Sequence, residues 1–260
     1  MRLNKDWFAV SPKDSARFGL MIARARIDRD IPAPGTLHNE LVRLGADVAI
    51  LRVPAGMTAP LREFTESGLI PLHADTLVYY ERRLASPIVI PELPANLTID
   101  KATEEDQDAV AEIARHGFGS YRSHYHANPL LDPALILEGY AEWAIDYISS
   151  VSSDRETWIV HDHGAPIAFA TCSLGMSDQV VEVVLNAVEP AHSGRGIYGY
   201  LLRHLLRTYQ QRDFKAVSIS TQVWNFTVQR AWAREGLVIR HAYDTYHINA
   251  LFGSKTRGLP

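Results

Sequence analysis

The chain has 260 residues, 47% hydrophobic and 22% charged, with 26 Lys plus Arg against 30 Asp plus Glu and a net charge of -4. That length holds one large domain or two modest ones, and a compact fold would bury about 70% of the unfolded surface, so a core needs no metal or disulfide staple. The composition excludes global disorder, a collagen-like chain and a coiled-coil rod, and the acidic balance argues against bulk nucleic-acid binding.

The start, Met1–Trp7, lacks the apolar core of a secretory signal, and no run approaches the ~20 apolar residues of a membrane span. Leu37 to Leu44 has helical apolar spacing and stops at Gly45; Val48–Val53 is a short apolar strand; Leu61 to Glu66 is a second helix closed by Gly68; Leu77–Tyr80 is a strand. Residues 1–84 are therefore expected to form a small α/β domain. Arg52 interrupts an apolar strand, either for structural reasons or to face an anionic group. Pro87, Pro91 and Pro94 fix φ and remove donors, so 85–97 is expected to be an extended linker.

Residues 98–260 are expected to form a second domain of mixed α/β character. Leu97–Asp100 is a strand. Thr103 to Asp106 has the spacing of a capping box, and a helix through Val110, Ile113 and Ala114 is expected to end at Gly117. Asp132-Pro133 is an N-cap with proline at the first helical position, followed at helical spacing by Ile136, Tyr140, Trp143, Ala144 and Tyr147. Trp158–Val160, Ile167–Cys172 and Val180–Val188 read as three strands, the first two divided by His163-Gly164. Leu201, Leu202, Leu205 and Tyr209 mark one face of a long helix; then follow a strand over Ala216–Thr221, a helix from Asn225 to Glu235 and a strand over Tyr243–Ile248. Cys172 is the lone cysteine; in its strand it reads as a buried structural thiol, and with no partner it fits a reducing, cytoplasmic compartment.

The segment Val188-Glu189-Pro190-Ala191-His192-Ser193-Gly194-Arg195-Gly196-Ile197-Tyr198-Gly199 joins an apolar strand to an amphipathic helix. Glycines allow a tight turn and a close ligand approach, and a helix start offers unpaired N–H groups and a positive dipole end, a site for an anionic diphosphate. The segment resembles the acetyl-CoA loop of the GNAT acetyltransferase superfamily, Val-x-Pro-x-x-Arg-Gly-x-Gly-x-Gly. Val188, Pro190, Gly194 and Gly196 match; Ser193 stands at the usual Arg or Gln, and Tyr198 at the last Gly, with Gly199 one place later. The element order after residue 97 is also similar to that superfamily.

Within it the chain resembles the dTDP-fucosamine acetyltransferase group. Asp14-Ser15-Ala16-Arg17-Phe18-Gly19-Leu20, the run from Ser120 to Pro129, and Asn225-Phe226-Thr227-Val228-Gln229-Arg230-Ala231-Trp232 carry that resemblance. It implies a GNAT acyl-CoA fold after a small α/β domain, and transfer of an acetyl group from acetyl-CoA to the amine of a nucleotide-linked amino-dideoxy sugar.

By the same resemblance, Ala187 and Val188 supply a backbone donor to the reaction's oxyanion. Ser193, Gly194, Arg195, Gly196, Ile197, Tyr198, Gly199, Asn225 and Trp232 contact the co-substrate. Trp232 stands where the family commonly has a Tyr acid. An indole N–H donates but does not ionise usefully, so Trp232 either packs against Val228 or holds the leaving thiolate, and the proton comes from Tyr198 as a substitute acid or from solvent. Glu182, in an apolar strand, faces solvent or acts as base at the acceptor. His124 and His126 are acceptor contacts or plain loop histidines, and without Cys or carboxylate partners they suggest no metal. Asn225 caps its helix, holds a pantetheine amide, or does both. The expected partner is a small-molecule amine, with no nucleic acid or membrane span and with a homodimer compatible. Acetylation of an amino acid, peptide or aminosugar antibiotic, or acyl-CoA binding without catalysis, stand as alternatives.

Overall fold

The computed structural model describes residues 6–28, 30–89, 92–149 and 152–253. Met1–Lys5, at the start read above for a signal, and Ile90 and Pro91 of the expected linker lie outside them. In chain order the elements are β1 (Ala9–Val10), α1 (Pro12–Phe18), β2 (Ile22–Arg26), α2 (Thr36–Leu44), β3 (Val48–Pro54), α3 (Arg62–Glu66), β4 (Pro71–Arg83), β5 (Leu97–Lys101), α4 (Gln107–Phe118), α5 (Pro133–Ser149), β6 (Arg155–Asp162), β7 (Ala165–Gly175), β8 (Val180–Val188), α6 (Ile197–Gln211), β9 (Ala216–Gln222), α7 (Phe226–Arg234) and β10 (Val238–Asn249). Among the described residues no helix is long and apolar enough to cross a membrane.

The chain gathers into two compact units, each discontinuous in sequence. The first holds residues 1–77, 122–136 and 241–260; the second holds 78–121 and 137–240. The described part of the 85–97 segment lies inside the second unit, where Gln210 Nε2 donates to the carbonyls of Leu84 and Ser86, both at 2.7 Å.

In the first unit β2 runs parallel to β3, with β1 antiparallel on one side and β10 antiparallel on the other. The apolar run Val48–Leu51 of β3 reflects burial on both faces. Ala23, Ala49, Leu51 and Val53 pack with Leu37 and Leu41 of α2 and Phe64 of α3, while Ile22, Val48 and Ile50 meet Leu131 on the other face. Two stretches quoted for the resemblance meet on that second face. Asp14, 4% exposed, accepts from Ser11 Oγ at 2.6 Å, Arg24 Nε at 2.6 Å and Tyr125 Oη at 3.0 Å, and Arg24 also bonds Tyr125. Burial pushes the Asp14 carboxyl up, but Arg24 and these hydrogen bonds outweigh it and hold it below the usual range. A depressed carboxyl contributes stability in full above its unfolded pKa of about 4, and that contribution fades as pH falls through the lowered value. Asp14→Asn is expected to cost about 2–3 kcal/mol in urea unfolding at neutral pH, and much less at acid pH.

In the second unit the order is β5-β6-β7-β8-β9, antiparallel except for the parallel β8–β9 pair. His163 and Gly164 close the β6–β7 hairpin with φ of 51° and 83°, the left-handed pair a two-residue turn requires. Phe169 and Leu185 pack beneath Val110, Ile113 and Ala114 of α4 and Ala141 and Ala144 of α5. α6 buries Leu201, Leu202, Leu205, Leu206 and Tyr209, each worth roughly 1.5–3 kcal/mol of apolar burial, and Trp158 Nε1 donates to Tyr209 Oη at 3.0 Å. Cys172 is fully buried, and burial pushes its thiol up to about 12, so it is an inert core group as expected.

Three local expectations change. α4 does not stop at Gly117 but runs through Phe118, because Gly117 serves packing: a Cβ built there would lie 2.7 Å from the Ala187 Cβ. Trp143 is 42% exposed, although it falls on the apolar spacing of α5. β4 spans Pro71–Arg83, far beyond Leu77–Tyr80, since polar residues such as His73, Asp75, Thr76 and Arg82 on either side of that run carry no apolar signal.

Candidate active site

The site grows from a defect in the second unit's sheet. β8 and β9 pair only from Val180↔Ala216 to Val183↔Ile219, yet β8 continues to Val188 and β9 to Gln222. At the same level β8 carries a bulge: Cys172 faces Val183 and Thr171 faces Leu185, leaving Val184 as the extra residue. A bulge bends its strand and increases its twist, which parts β8 from β9. The Thr171 hydroxyl stitches the bulge by accepting from Leu185 N at 3.1 Å and donating to Leu185 O at 3.3 Å. The edge of β8 from Val184 to Val188 is thus left without a β9 partner, and it includes Ala187 and Val188. Gly117 lets α4 lie directly against Ala187.

Beyond β8 the chain makes a short 3₁₀ turn over Pro190–His192 and enters α6 through Gly194 and Gly196, at φ of 76° and 79°. L side chains avoid that conformation, which explains both glycines. A Cβ built on Gly194 meets nothing within 4 Å, and one on Gly196 meets only Tyr200 Cε2 at 3.9 Å, so the space above the turn is open. The first helical bond of α6 is Tyr200 N to Gly196 O at 3.2 Å, which leaves the N–H groups of Ile197, Tyr198 and Gly199 directed out of the helix start. Gly199 therefore lies in the first turn of α6 and not in the loop. Ser193 is exposed, and Arg195 pairs with Asp162 at 3.4 Å. Open space, free N–H groups and a positive dipole end suit an anionic diphosphate.

Trp232 of α7 is 1% exposed, packs against Tyr80 with ring centroids 5.3 Å apart, and donates Nε1 to Tyr198 Oη at 2.6 Å. The indole's single polar group is thereby committed to the phenol. Burial pushes the Tyr198 phenol well above its ordinary value, against the smaller opposing effect of the Trp232 bond, so the oxygen keeps its proton while accepting from Trp232. Asn225 does not cap α7; its Nδ2 turns back to Thr221 Oγ1 at 3.1 Å. Tyr121 Oη lies 3.2 Å from the same Thr221 oxygen and bonds Gln222, joining the chain just beyond α4 to the end of β9 that parts from β8. Sequence reading assigned no role to Tyr121 or Gln222, since isolated polar residues at element ends carry no periodic signal.

Glu182 is exposed and sits before the bulge, paired across the sheet with Ser173 and Ser218. His116 Nδ1 lies 3.0 Å from Glu189, beside the end of β8, a carboxylate–imidazole pair that sequence reading also missed. The two histidines expected at the acceptor part company in the first unit. His126 is exposed and its Nδ1 accepts from Ser123 N at 3.2 Å, whereas His124 is 5% exposed and bonded to His247 at 2.9 Å. Among the described residues no group of three or more His, Cys, Asp or Glu is disposed to hold a metal ion.

Residues 109–237 match the model of the acetyltransferase (GNAT) family. The spore coat polysaccharide biosynthesis protein SpsD of Bacillus subtilis (strain 168) is 27% identical over 143 residues, which is 55% of this chain and 47% of that protein. The chain thus spans less than half the length of that relative. A GCN5-related N-acetyltransferase from Sphaerobacter thermophilus is similar in structure at a TM-score of 0.52 and 19% identity, over 77% of this chain and 59% of that one. A conserved protein of unknown function from Staphylococcus epidermidis ATCC 12228 is similar at a TM-score of 0.60 and 14% identity, over 95% of this chain and 92% of that one. These two likenesses are of fold.

Proposed function

We propose that the chain is a GNAT-type N-acetyltransferase that uses acetyl-CoA to acetylate the amine of a nucleotide-linked amino sugar, a reading supported by the match of residues 109–237 to the acetyltransferase (GNAT) family model. The observation that carries the acetyl-CoA reading is the parting of β8 from β9 at the Val184 bulge, directly upstream of the open Gly194–Gly196 turn. The diphosphate sits over that turn, on the N–H groups of Ile197, Tyr198 and Gly199. The pantetheine arm lies along the free edge of β8, where a backbone donor at Ala187 or Val188 holds the oxyanion. Tyr198 gives its proton to the departing thiolate, and Trp232 holds the phenol oxygen in place.

The sugar part of the reading is supported by the resemblance of the 14–20 and 120–129 stretches, which meet in the first unit, and by a relative whose name places it in polysaccharide biosynthesis. The test is mass-spectrometric: the full chain with acetyl-CoA is offered amino-sugar nucleotides, free aminosugars, amino acids and peptides. Preferred acetylation of the sugar nucleotides is expected. Preference for another amine overturns the acceptor, and CoA binding without transfer to any amine overturns the enzyme reading.

In this scheme Glu182 relays the amine proton through water. Glu182→Gln keeps the shape and removes the basicity, so turnover is expected to fall ~10²-fold. Turnover within about twofold of wild type across the pH range would instead make Glu182 a surface residue of β8.

A further inference from the structure

The second unit carries a pocket of about 470 Å³ where the end of β4, the end of α7 and the start of β10 come together. Every residue that lines it belongs to that unit, and its volume falls in the ~300–1,000 Å³ range of small-molecule sites. Four arginines line it: Arg82 and Arg83 from β4, Arg234 from α7 and Arg240 from β10. Against them stand two carboxylates, Glu81 and Glu235. The chain as a whole carries a net charge of -4, so a cationic pocket is a local gathering of charge and not a reflection of composition.

Both carboxylates are engaged. Glu235 accepts from Arg203 Nε at 2.8 Å and Nη2 at 2.7 Å, a bidentate pair with a fifth cation on α6. Glu81 is shared by Arg240 at 3.6 Å and Arg83 at 4.0 Å, both too far for a hydrogen bond, so these two guanidiniums keep their donors free. Arg82 has no carboxylate; its Nη1 donates to the Glu235 carbonyl at 2.6 Å and closes the end of α7. Among the described residues Arg234 has neither an ion pair nor a hydrogen bond. Arg83, Arg234 and Arg240 are exposed, so solvent and solutes reach them. Guanidinium groups around one hollow repel each other, and their planar forks match the oxygens of a phosphate.

The pocket is separate from the glycine turn. Its lining meets α6 at Arg203, through Glu235, and at Gln210, which donates to the Ser86 carbonyl. At 1.5 Å per residue these lie about 9 and 20 Å along the helix from Ile197. The near wall still borders the first turn of α6, since Glu235 Oε1 lies 3.8 Å from a Cβ built on Gly199.

We propose that this pocket is a second anion site, which takes a phosphate or diphosphate group of a small molecule on the free donors of Arg83, Arg234 and Arg240. The proposal does not rest on the acetyl-CoA reading. Two sources carry that chemistry: the ribose 3′-phosphate of CoA, entering past the wall at Glu235, and a separate phosphorylated ligand.

The test titrates the full chain with inorganic pyrophosphate by calorimetry, with and without saturating CoA, in wild type, Arg234→Gln and the double variant Arg83→Gln/Arg234→Gln. Arg82 is left in place because it closes α7. A parallel titration compares CoA with dephospho-CoA, which lacks the 3′-phosphate. A separate ligand predicts saturable pyrophosphate binding to the CoA-saturated chain, several-fold weaker in Arg234→Gln and at least tenfold weaker in the double variant. The 3′-phosphate of CoA predicts that CoA blocks pyrophosphate and binds at least tenfold tighter than dephospho-CoA, with the gap closing in the double variant. Without anion both variants should melt no lower than wild type, since neither side chain holds a hydrogen bond. If neither the pyrophosphate affinity nor the CoA gap responds to the double variant, the arginines are a solvated cluster and the site is overturned. A chain that binds no CoA fails the acetyl-CoA reading on that observation, while pyrophosphate titration of wild type against the double variant still decides the pocket.

Discussion

Tyr198→Phe is expected to reduce acetyl-transfer turnover about 10²-fold, the usual contribution of a positioned proton donor, while CoA affinity changes little. The reason lies in the Trp232–Tyr198 bond. The tryptophan occupies the helix position from which a tyrosine would serve, but it is buried and its N–H points at the Tyr198 oxygen. The phenol is therefore held by an acceptor bond that leaves its own proton free to donate. Burial holds that proton on well above the ordinary tyrosine value, so wild-type turnover should show no descending alkaline limb from Tyr198 below about pH 10. Trp232→Phe keeps the ring against Tyr80 and removes the N–H, so it should lower turnover less than Tyr198→Phe does. A Tyr198→Phe enzyme as fast as wild type would hand the thiolate's proton to solvent.

Gly196→Val is expected to weaken CoA binding at least tenfold, about 1.4 kcal/mol, in a calorimetric titration. Two effects add. A φ of 79° is strongly unfavourable for a β-branched residue, which would push the turn toward another conformation. Where the turn holds its shape, the side chain enters the open space above it, on the path of the diphosphate. Circular dichroism and melting separate loss of the site from loss of the fold. Unchanged affinity in a folded variant would remove the turn from CoA binding.

The periodic parts of the chain were legible before the structure: the apolar run of β3, the face of α6, the hairpin at His163-Gly164 and the glycine turn before α6. Each has a local cause that leaves a local signature. Asp132 is another such case, since it caps α5 through a 2.9 Å bond to Ala134 N. What remained hidden depends on residues distant in sequence. Gly117 looks like a helix stop until Ala187, seventy positions on, is placed against it. Asn225 has the right type and position for a cap, but Thr221 offers a competing partner. His124 looked available to a ligand because His247, 123 residues away, was not yet its neighbour. β1 is only two residues long, and α1 and β2 are short and carry polar residues, so no periodic run marks them. A division drawn as a line through 85–97 also has no way to express units that each take up separate stretches of chain.

The bulge in β8 has a bearing on which length changes the chain tolerates. The extra residue at Val184 switches which sheet face the following side chains occupy: Val183 lies opposite Cys172, whereas Leu185 and Ala187 lie opposite Thr171 and Phe169 and join the packing under α4. Removing that single residue would restore strict alternation against β7, let Thr171 release its grip on Leu185, and allow β8 and β9 to zip further along their lengths. The cleft is thus encoded as one residue of slack in a strand, and insertions or deletions there should be far less neutral than the same change in the turn between β7 and β8.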